Sequence, residues 1–167
     1  TRFTDGGQIT LKPNTSVKLE SFNFNKAEPK KDSFVFGLIK GGMRALTGLV
    51  GKRGDPDAYQ LNTATATIGI RGTTFGVDDC ATTKCNNNIQ DAVYVSVADG
   101  EIVVANAAGS VSYLAGQFGS IDSRERLPRF LSTDPGLQFT PPASFIQSIT
   151  GGTAVNSGKN LESVVRR

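Results

Sequence analysis

The sequence predicts an all-β protein. Runs in which apolar and polar residues alternate recur about every eight to twelve residues, which is typical of short β-strands joined by turns. Turn formers separate these runs, since the chain has 19 Gly and 7 Pro among its 167 residues. This spacing indicates one domain, either a β-sandwich or an irregular solenoid-like stack of short strands, and no repeat of fixed length favours a regular solenoid.

Composition and charge argue against several classes of function. The net charge is +3 and the sequence pI is about 9.0, which falls short of the clustered Lys and Arg of a nucleic-acid-binding surface. The chain has no His, so the commonest general base and metal ligand is missing. No apolar run is long enough to cross a bilayer. We therefore expect a non-enzymatic protein with no cofactor, no nucleic-acid partner and no membrane insertion.

The first third of the chain predicts strands separated by short turns. In the predicted strand at 17–24, the apolar positions are odd-numbered up to Leu19 and even-numbered from Phe22, which predicts a β-bulge at Ser21. The elements in order are a strand ending in the Asp-Gly-Gly turn of 5–7, a strand at 8–11, a Lys-Pro-Asn turn at 12–14, a bulged strand at 17–24, a charged loop at 26–32, and strands within 33–49 interrupted at Gly41 and Gly42.

The middle of the chain is organised around residues 62–77. Thr63, Thr65 and Thr67 alternate with small apolar residues, which favours a strand that begins at Thr63. Gly69 and Gly72 punctuate its continuation, and glycines inside strands mark bulges or close approaches of another backbone. The sequence therefore predicts a kinked central strand with both glycines in tight contacts.

Residues 93–104 carry the clearest hairpin signal. Two alternating apolar runs flank Asp99 and Gly100, and Asp-Gly is a preferred hairpin turn because both residues tolerate positive φ. We therefore predict a turn at Asp99 and Gly100, followed by short strands at 111–114 and 118–121.

These segments occur in the order of a known family. The run ATIGIRGTTFGV at 66–77 resembles the signature of the FecR-like family of bacterial extracytoplasmic domains. Four further segments are similar to the same family in the same order: 3–22, 34–52, 93–106 and 114–121. The resemblance implies a FecR-like β domain over 1–121. It also implies a structural signature made of Thr67, Ile68, Gly69, Ile70, Arg71, Gly72, Thr73 and Phe75.

Cys80 and Cys85 bracket a short polar loop. In an exported protein, two nearby cysteines without a spare thiol indicate one local disulfide, and free thiols are the alternative. A metal site would need further ligands, and the chain has no His and no other Cys. Asp78 and Asp79 with the asparagines at 86–88 offer oxygen ligands for calcium, but a solvated loop is the simpler interpretation because their spacing matches no known site.

The end of the chain differs in character. Repeated Pro and Gly disfavour regular elements, so we assign 122–167 to a C-terminal arm with little regular structure. Within it, Leu161, Val164 and Val165 are apolar residues that need cover.

Three functions compete. The first is an exported structural protein, such as a filament subunit, whose arm docks on another copy through Leu161, Val164 and Val165. FecR-like proteins usually have a further strand before the position of Thr1, and an edge left unpaired there is a template for strand exchange.

The alternative is the periplasmic signalling module of a FecR-type regulator, which relays the state of an outer-membrane receptor to a sigma factor. A glycan-binding module is third, although the chain has no Trp to stack on a sugar. Each places the protein outside the cytoplasm, with other copies or another envelope protein as partner.

Overall fold

Nine β-strands make up most of the chain in the computed structural model, which describes residues 1–85 and 88–137. The described residues form one unit, Thr1–Leu137, while a second unit, Gln138–Arg167, lies outside them together with Leu161, Val164 and Val165. The predicted all-β class is confirmed. The strands are β1 Gln8–Leu11, β2 Ser16–Asn23, β3 Ser33–Leu46, β4 Tyr59–Asn62, β5 Thr67–Asp79, β6 Val93–Asn106, β7 Gly109–Leu114, β8 Phe118–Ile121 and β9 Arg129–Leu131, with short 3-10 helices at Pro29–Lys31 and Val50–Lys52.

The strands form one hydrogen-bonded sheet that folds into two layers. The two layers face each other, as a ring contact between them indicates: the ring of Phe3, beside β1, lies 5.3 Å from the ring of Phe22 in β2. The first layer contains β2, residues 33–40 of β3, β4, residues 67–71 of β5, residues 101–106 of β6, and β7. The second layer contains β1, residues 41–46 of β3, residues 74–79 of β5, residues 93–97 of β6, β8 and β9.

Three long strands pass from one layer to the other at glycines. Gly41 of β3, Gly72 of β5 and Gly100 of β6 have φ values of +85°, +56° and +80°, a conformation that glycine adopts without steric cost. The pairing of β5 with β6 also shifts register between Arg71 and Thr74. Each bend is therefore a bulge-like irregularity within a continuous strand.

The bends also change which positions face the core. An extra residue reverses the face of every later side chain, so the buried positions switch between even and odd numbers at each glycine. They are Phe34, Phe36 and Leu38, then Met43 and Ala45, in β3; Ile68 and Ile70, then Phe75 and Val77, in β5; and Val93, Val95 and Val97, then Ile102 and Val104, in β6.

One continuous apolar cluster fills the space between the layers. Phe34 lies within an aromatic group, with the rings of Phe3, Phe22, Phe36 and Tyr59 at centroid distances between 4.6 and 5.1 Å. Buried aromatic pairs in such tilted and edge-on geometries add to the burial of their area. This group fixes β2, β3 and β4 beside the signature strand β5.

The prediction that a strand begins at Thr63 is wrong. Residues 63–66 form a tight turn between β4 and β5, in which the Thr63 N–H donates to the Ala66 carbonyl at 2.9 Å. The Thr63 hydroxyl accepts hydrogen bonds from the N–H groups of Thr65 and Ala66. Threonine favours strands, but its hydroxyl also bonds to nearby backbone and stabilises turns. The strand therefore begins at Thr67.

The prediction of a hairpin turn at Asp99 and Gly100 is also wrong. β6 runs without interruption from Val93 to Asn106, and the hairpin turn follows it, between Asn106 and Gly109. Positive φ is needed at a bend within a strand as well as in a hairpin turn. An Asp-Gly pair in the sequence therefore does not distinguish a strand bend from a hairpin turn.

Three further features of the strands bear on the predictions. The bulge predicted at Ser21 is confirmed, because the register of β2 against β3 shifts between Leu19 and Ser21. In contrast, β3 is continuous through Gly41, where the sequence predicts an interruption. The sheet also extends into the predicted arm, since Arg129–Leu131 pairs with β8.

Candidate functional site

The signature of β5 forms the bend that joins the two layers. At this bend, Thr73 is buried, its N–H donates to the hydroxyl of Thr47 at 2.8 Å, and its own hydroxyl donates to the carbonyl oxygen of Asp99. The Thr47 hydroxyl donates in turn to the Thr73 carbonyl at 3.1 Å. The polar groups that the bend takes out of the regular ladder are thus satisfied by side chains, as buried polar groups require.

The two signature glycines differ in what they contact. A Cβ at Gly72 would be strained by its positive φ and would lie 3.3 Å from Cγ of Lys52. A Cβ at Gly69 would have only the carbonyl oxygen of Val103 within 4 Å, at 3.8 Å. The tight backbone approach predicted at Gly69 is therefore wrong, because a Cβ there would make only an ordinary van der Waals contact.

The remaining signature residues divide between the core and the surface. Ile68, Ile70 and Phe75 are buried, whereas Arg71 is exposed beside its cross-strand neighbour Glu101. None of these positions brings a nucleophile together with a base, so the signature contributes architecture rather than reaction chemistry.

A disulfide between Cys80 and Cys85 closes the loop that follows β5, with the Cα atoms 5.1 Å apart. Asp79 shapes the same loop, because its Oδ1 accepts hydrogen bonds from the N–H groups of Ala81 and Thr82. The loop covers the outer face of the second layer, where a small apolar cluster forms from Cys80, Ala92, Tyr94 and Leu137, with Cys85, Ile89 and Leu131 packed against it.

Asp78 and Asp79 do not converge on a cation site. Asp78 forms an ion pair with Lys12, Nζ to Oδ1 at 2.6 Å, while the Asp79 side chain is buried and turned into the loop. Burial raises the pKa of Asp78, although its hydrogen bond and charge interaction with Lys12 oppose the shift. Over residues 1–85 and 88–137, no group of three or more His, Cys, Asp or Glu is placed to hold a metal ion.

The Lys12–Asp78 pair lines a cleft of about 340 Å³ beside the disulfide loop. Lys12 also donates a hydrogen bond to the carbonyl oxygen of Leu137. Within the described lining the carboxylate of Asp78 is paired with Lys12, and Lys84 adds a second cation. Its walls come from Lys12, Pro13, Asn14, Gly41, Gly42, Asp78, Thr83, Lys84, Cys85, Gly136 and Leu137.

A second concavity, of about 350 Å³, lies at the end of the first layer between the β4–β5 turn and the β6–β7 turn. We call it the threonine groove. Among the residues that the structure describes, its lining is rich in hydroxyl and amide groups, contains no acidic residue, and has one cationic side chain. The lining residues are Asn62, Thr63, Thr65, Ala66, Thr67, Ala105, Asn106, Ala107 and Arg124.

Hydrogen bonds to backbone carbonyl oxygens hold two side chains of the groove in place. Arg124 Nε donates to the carbonyl oxygen of Ala64 at 2.6 Å, which ties the guanidinium to the β4–β5 turn. Asn106 Nδ2 donates to the carbonyl oxygens of Ser123 and Arg126 at 3.0 and 2.6 Å, which ties the segment after β8 to the β6–β7 turn. The threonine groove is thus assembled from three separate parts of the sequence.

One polar atom of the groove has no partner in the described part of the chain. The Oγ1 atom of Thr65 is inaccessible to solvent and forms no hydrogen bond there. A buried hydroxyl without a partner costs free energy. Because this oxygen is closed to solvent, it is also out of reach of a ligand in the groove, and the guanidinium of Arg124 is the charged group that the described lining presents.

Sequence reasoning missed this groove. Arg124 falls in the segment assigned to the arm, and the threonines of the turn are interpreted there as strand residues. The run of threonines was the available signal, because their hydroxyls can serve turns and ligands as well as strands.

The model of the family described as "FecR protein" matches residues 1–103. No curated protein matches the chain. No helix in the described part of the chain has both the length and the apolar character that a membrane span requires.

Two crystal structures of a proposed anti-sigma factor from Parabacteroides distasonis ATCC 8503, at 2.50 and 1.65 Å resolution, are similar in fold. Both have a TM-score of 0.57, with sequence identities of 15% and 14%. The similarity covers 80% of this chain and 55% of the other, so this chain spans about half of that protein.

Proposed function

The chain belongs to the FecR protein family, and on that premise we propose that it is the extracytoplasmic signalling module of an anti-sigma regulator. The family match over residues 1–103 carries this proposal. It is supported by a neighbour in fold described as a proposed anti-sigma factor, of which the chain spans about half. The role is regulatory, with protein partners rather than a substrate.

Location outside the cytoplasm agrees with the cysteine chemistry. The disulfide between Cys80 and Cys85 pins a loop that covers apolar residues. Structural disulfides persist in oxidising compartments and are rare in the reducing cytoplasm. The periplasm or the cell surface is therefore the compartment in which this loop would stay closed.

The comparisons favour this function over the self-associating filament subunit that sequence analysis puts first. The similarity in fold to a proposed anti-sigma factor supports the regulatory function. Glycan binding is less favoured, because no aromatic residue in the described part of the chain lines either the threonine groove or the Lys12 cleft, and sugars are commonly bound on aromatic faces.

Deletion of the gene in the host bacterium tests the proposal. The transcriptome of the deletion strain should change in a confined set of genes, and deletion of one sigma factor should abolish that change. Complementation with the unaltered gene should restore the original transcript levels. An unchanged transcriptome combined with the loss of a surface filament in negative-stain images would instead support the structural function.

A further inference from the structure

We propose that two copies of this chain pair through the free edge of β7, in an antiparallel register centred on Val111. This surface belongs to the described domain, and the pairing does not depend on the proposed function. It also differs from self-association through the arm, because it uses backbone groups of Gly109–Leu114 and not the apolar residues near the end of the chain.

The sheet has four edge strands in the described part of the chain, β1, β2, β7 and β9. Three of them carry features that oppose pairing with another chain. The start of the chain covers part of β1, since Thr1 and Ile9 exchange two backbone hydrogen bonds of 2.9 Å. The bulge between Leu19 and Ser21 interrupts β2, and β9 has only three residues, the first of which is Arg129.

The edge of β7 has none of these features. Its pairs with β6 follow one register from Gly109 to Leu114, without a bulge. The strand reads GSVSYL, so it contains no charged residue and no proline. A regular, uncharged edge strand is a template for pairing with another strand.

Alternate residues of β7 direct their backbone groups away from β6. The N–H of Ala115, just after the strand, donates to the Gly100 carbonyl in β6 at 3.1 Å. Residues two apart in an antiparallel strand bond to the same neighbour, so the groups of 109, 111 and 113 face β6. Those of Ser110, Ser112 and Leu114 therefore face outward.

Two of these three residues keep free backbone groups. Leu114 is closed by Gln117, whose Oε1 accepts from the Leu114 N–H at 2.7 Å and whose N–H donates to the Leu114 carbonyl at 3.0 Å. The outward N–H and carbonyl groups of Ser110 and Ser112 have no hydrogen-bond partner in the described part of the chain. Both residues are exposed.

A second copy satisfies both serines at once. A two-fold axis through Val111 places Ser110 of each copy opposite Ser112 of the other, and each pair can exchange two backbone hydrogen bonds. The outward groups that Gln117 leaves free are then all used. The pairing closes on itself, so it stops at two copies and does not extend into a filament.

Exposed apolar side chains border the same edge. The ring of Phe130 lies 4.8 Å from that of Tyr113, and Leu127 lies against Gly109, where a Cβ would come within 2.9 Å of its Cδ2. Phe130 is 56% exposed, Leu127 is 52% exposed and Leu114, at the end of β7, is 54% exposed. Exposed apolar side chains that cluster in this way mark protein–protein contacts.

The two-fold register also brings these apolar residues together. It places Gly109 of one copy opposite Tyr113 of the other. Leu127 packs beside Gly109 and Phe130 beside Tyr113, on the side of β7 that faces the core. Leu127 of one copy and Phe130 of the other therefore meet on the same side of the joined sheet, which favours a second copy as the occupant of this edge.

Sedimentation velocity of the 167-residue chain at increasing concentration tests the pairing. The unaltered chain should sediment as a dimer and Ser112→Pro as a monomer, because proline removes an outward N–H and leaves the bonds to β6 in place. Ser112→Ala is the matched control and should dimerise as the unaltered chain does. An unaltered chain that stays monomeric at its highest soluble concentration, or a folded Ser112→Pro variant that still dimerises, would overturn the proposal.

Charge pairs test the register and keep the proposal open to refutation if Ser112→Pro fails to fold. Ser110→Lys with Ser112→Lys places like charges opposite each other in both pairs, and so does Ser110→Glu with Ser112→Glu. Each double variant should be folded by circular dichroism and monomeric alone, and an equimolar mixture should form dimers that contain one copy of each. Dimers of either variant alone, or a mixture that stays monomeric, would refute this interface.

Discussion

The carbonyl oxygen of Gly72 lies so close to Gly100 that a Cβ placed on Gly100 would come within 2.5 Å of it. The two glycines belong to neighbouring strands and both have positive φ, so β5 and β6 bend at the same point. The bend by which β5 and β6 pass between the two layers therefore depends on two glycines that face each other.

Gly100→Ala should destabilise the protein by at least about 2 kcal/mol, because a residue at strained positive φ costs about 1–3 kcal/mol and the methyl group would also clash with backbone. The expected clash involves the Gly72 carbonyl and the Cα of Thr73. Urea unfolding followed by circular dichroism measures the change.

Gly69→Ala is the matched control in the same pair of strands. Its Cβ would meet only the Val103 carbonyl at 3.8 Å, so this variant should be as stable as the unaltered chain or up to about 1 kcal/mol more stable, since alanine has less conformational entropy to lose than glycine. Similar losses in the two variants would contradict the distinction drawn between these glycines.

The tyrosines predict the response to alkaline pH. Burial raises the pKa of Tyr59 and of Tyr94, and it raises the pKa of Tyr113 to about 12. A folded-state pKa above the unfolded value means that the neutral form stabilises the fold. This contribution is fully present below pH 10.0, the ordinary value, and is lost as the pH rises towards 12.

Phenolate absorbance near 295 nm checks this prediction. At about pH 11, most tyrosines of the urea-unfolded chain should be ionised and most of those in the folded chain should not. In Tyr113→Phe, stability should decline less between pH 10 and 12 than in the unaltered chain. Titration of the folded chain with the ordinary tyrosine pKa would show that these rings are accessible to water.

Reduction of the disulfide should loosen one loop without unfolding the sheet. Intact mass under native alkylation should show two blocked thiols only after reduction. The double variant Cys80→Ser, Cys85→Ser should lose about 2 kcal/mol, as chain entropy gives for so short a loop. Faster hydrogen exchange should be confined to residues 80–92 and the Tyr94 region that they cover. Two free thiols in the native protein would refute the prediction.

Truncation separates the domain from the arm. A chain ending at Leu137 should keep its melting temperature within a few degrees. One ending at Ile121 should lose more, because Tyr113 donates a hydrogen bond to the Arg129 carbonyl at 3.1 Å and packs on Phe130. Sedimentation of the full chain tests self-association through the arm, 122–167. A monomer at high concentration would contradict that hypothesis.

Sequence patterns predicted the strands of this fold better than its bends. Alternation identifies a strand because successive side chains face opposite sides, and it placed β1, β2, β7 and β8 correctly to within a few residues. An Asp-Gly pair specifies a local φ value, which a hairpin turn and a strand bend share, so it misplaced the turn at Gly100. The change of parity between Val97 and Ile102 was the better signal, and the same reasoning succeeded at Ser21.

Local sequence patterns did not predict the threonine groove, for a different reason. Arg124 meets Ala64 across 60 positions of sequence, and the alternation around Ala64 predicts a strand instead of the turn that makes this contact. Such a contact follows from the folding of the sheet into layers, which single-strand periodicity does not specify.

The long strands also determine how this domain responds to load. β3, β5 and β6 each belong to both layers, and β5 and β6 bend at the same point. Sliding one layer over the other would therefore require the rupture of ladder hydrogen bonds in both. We therefore expect a force applied to one layer to be carried to the other through the backbones of these three strands.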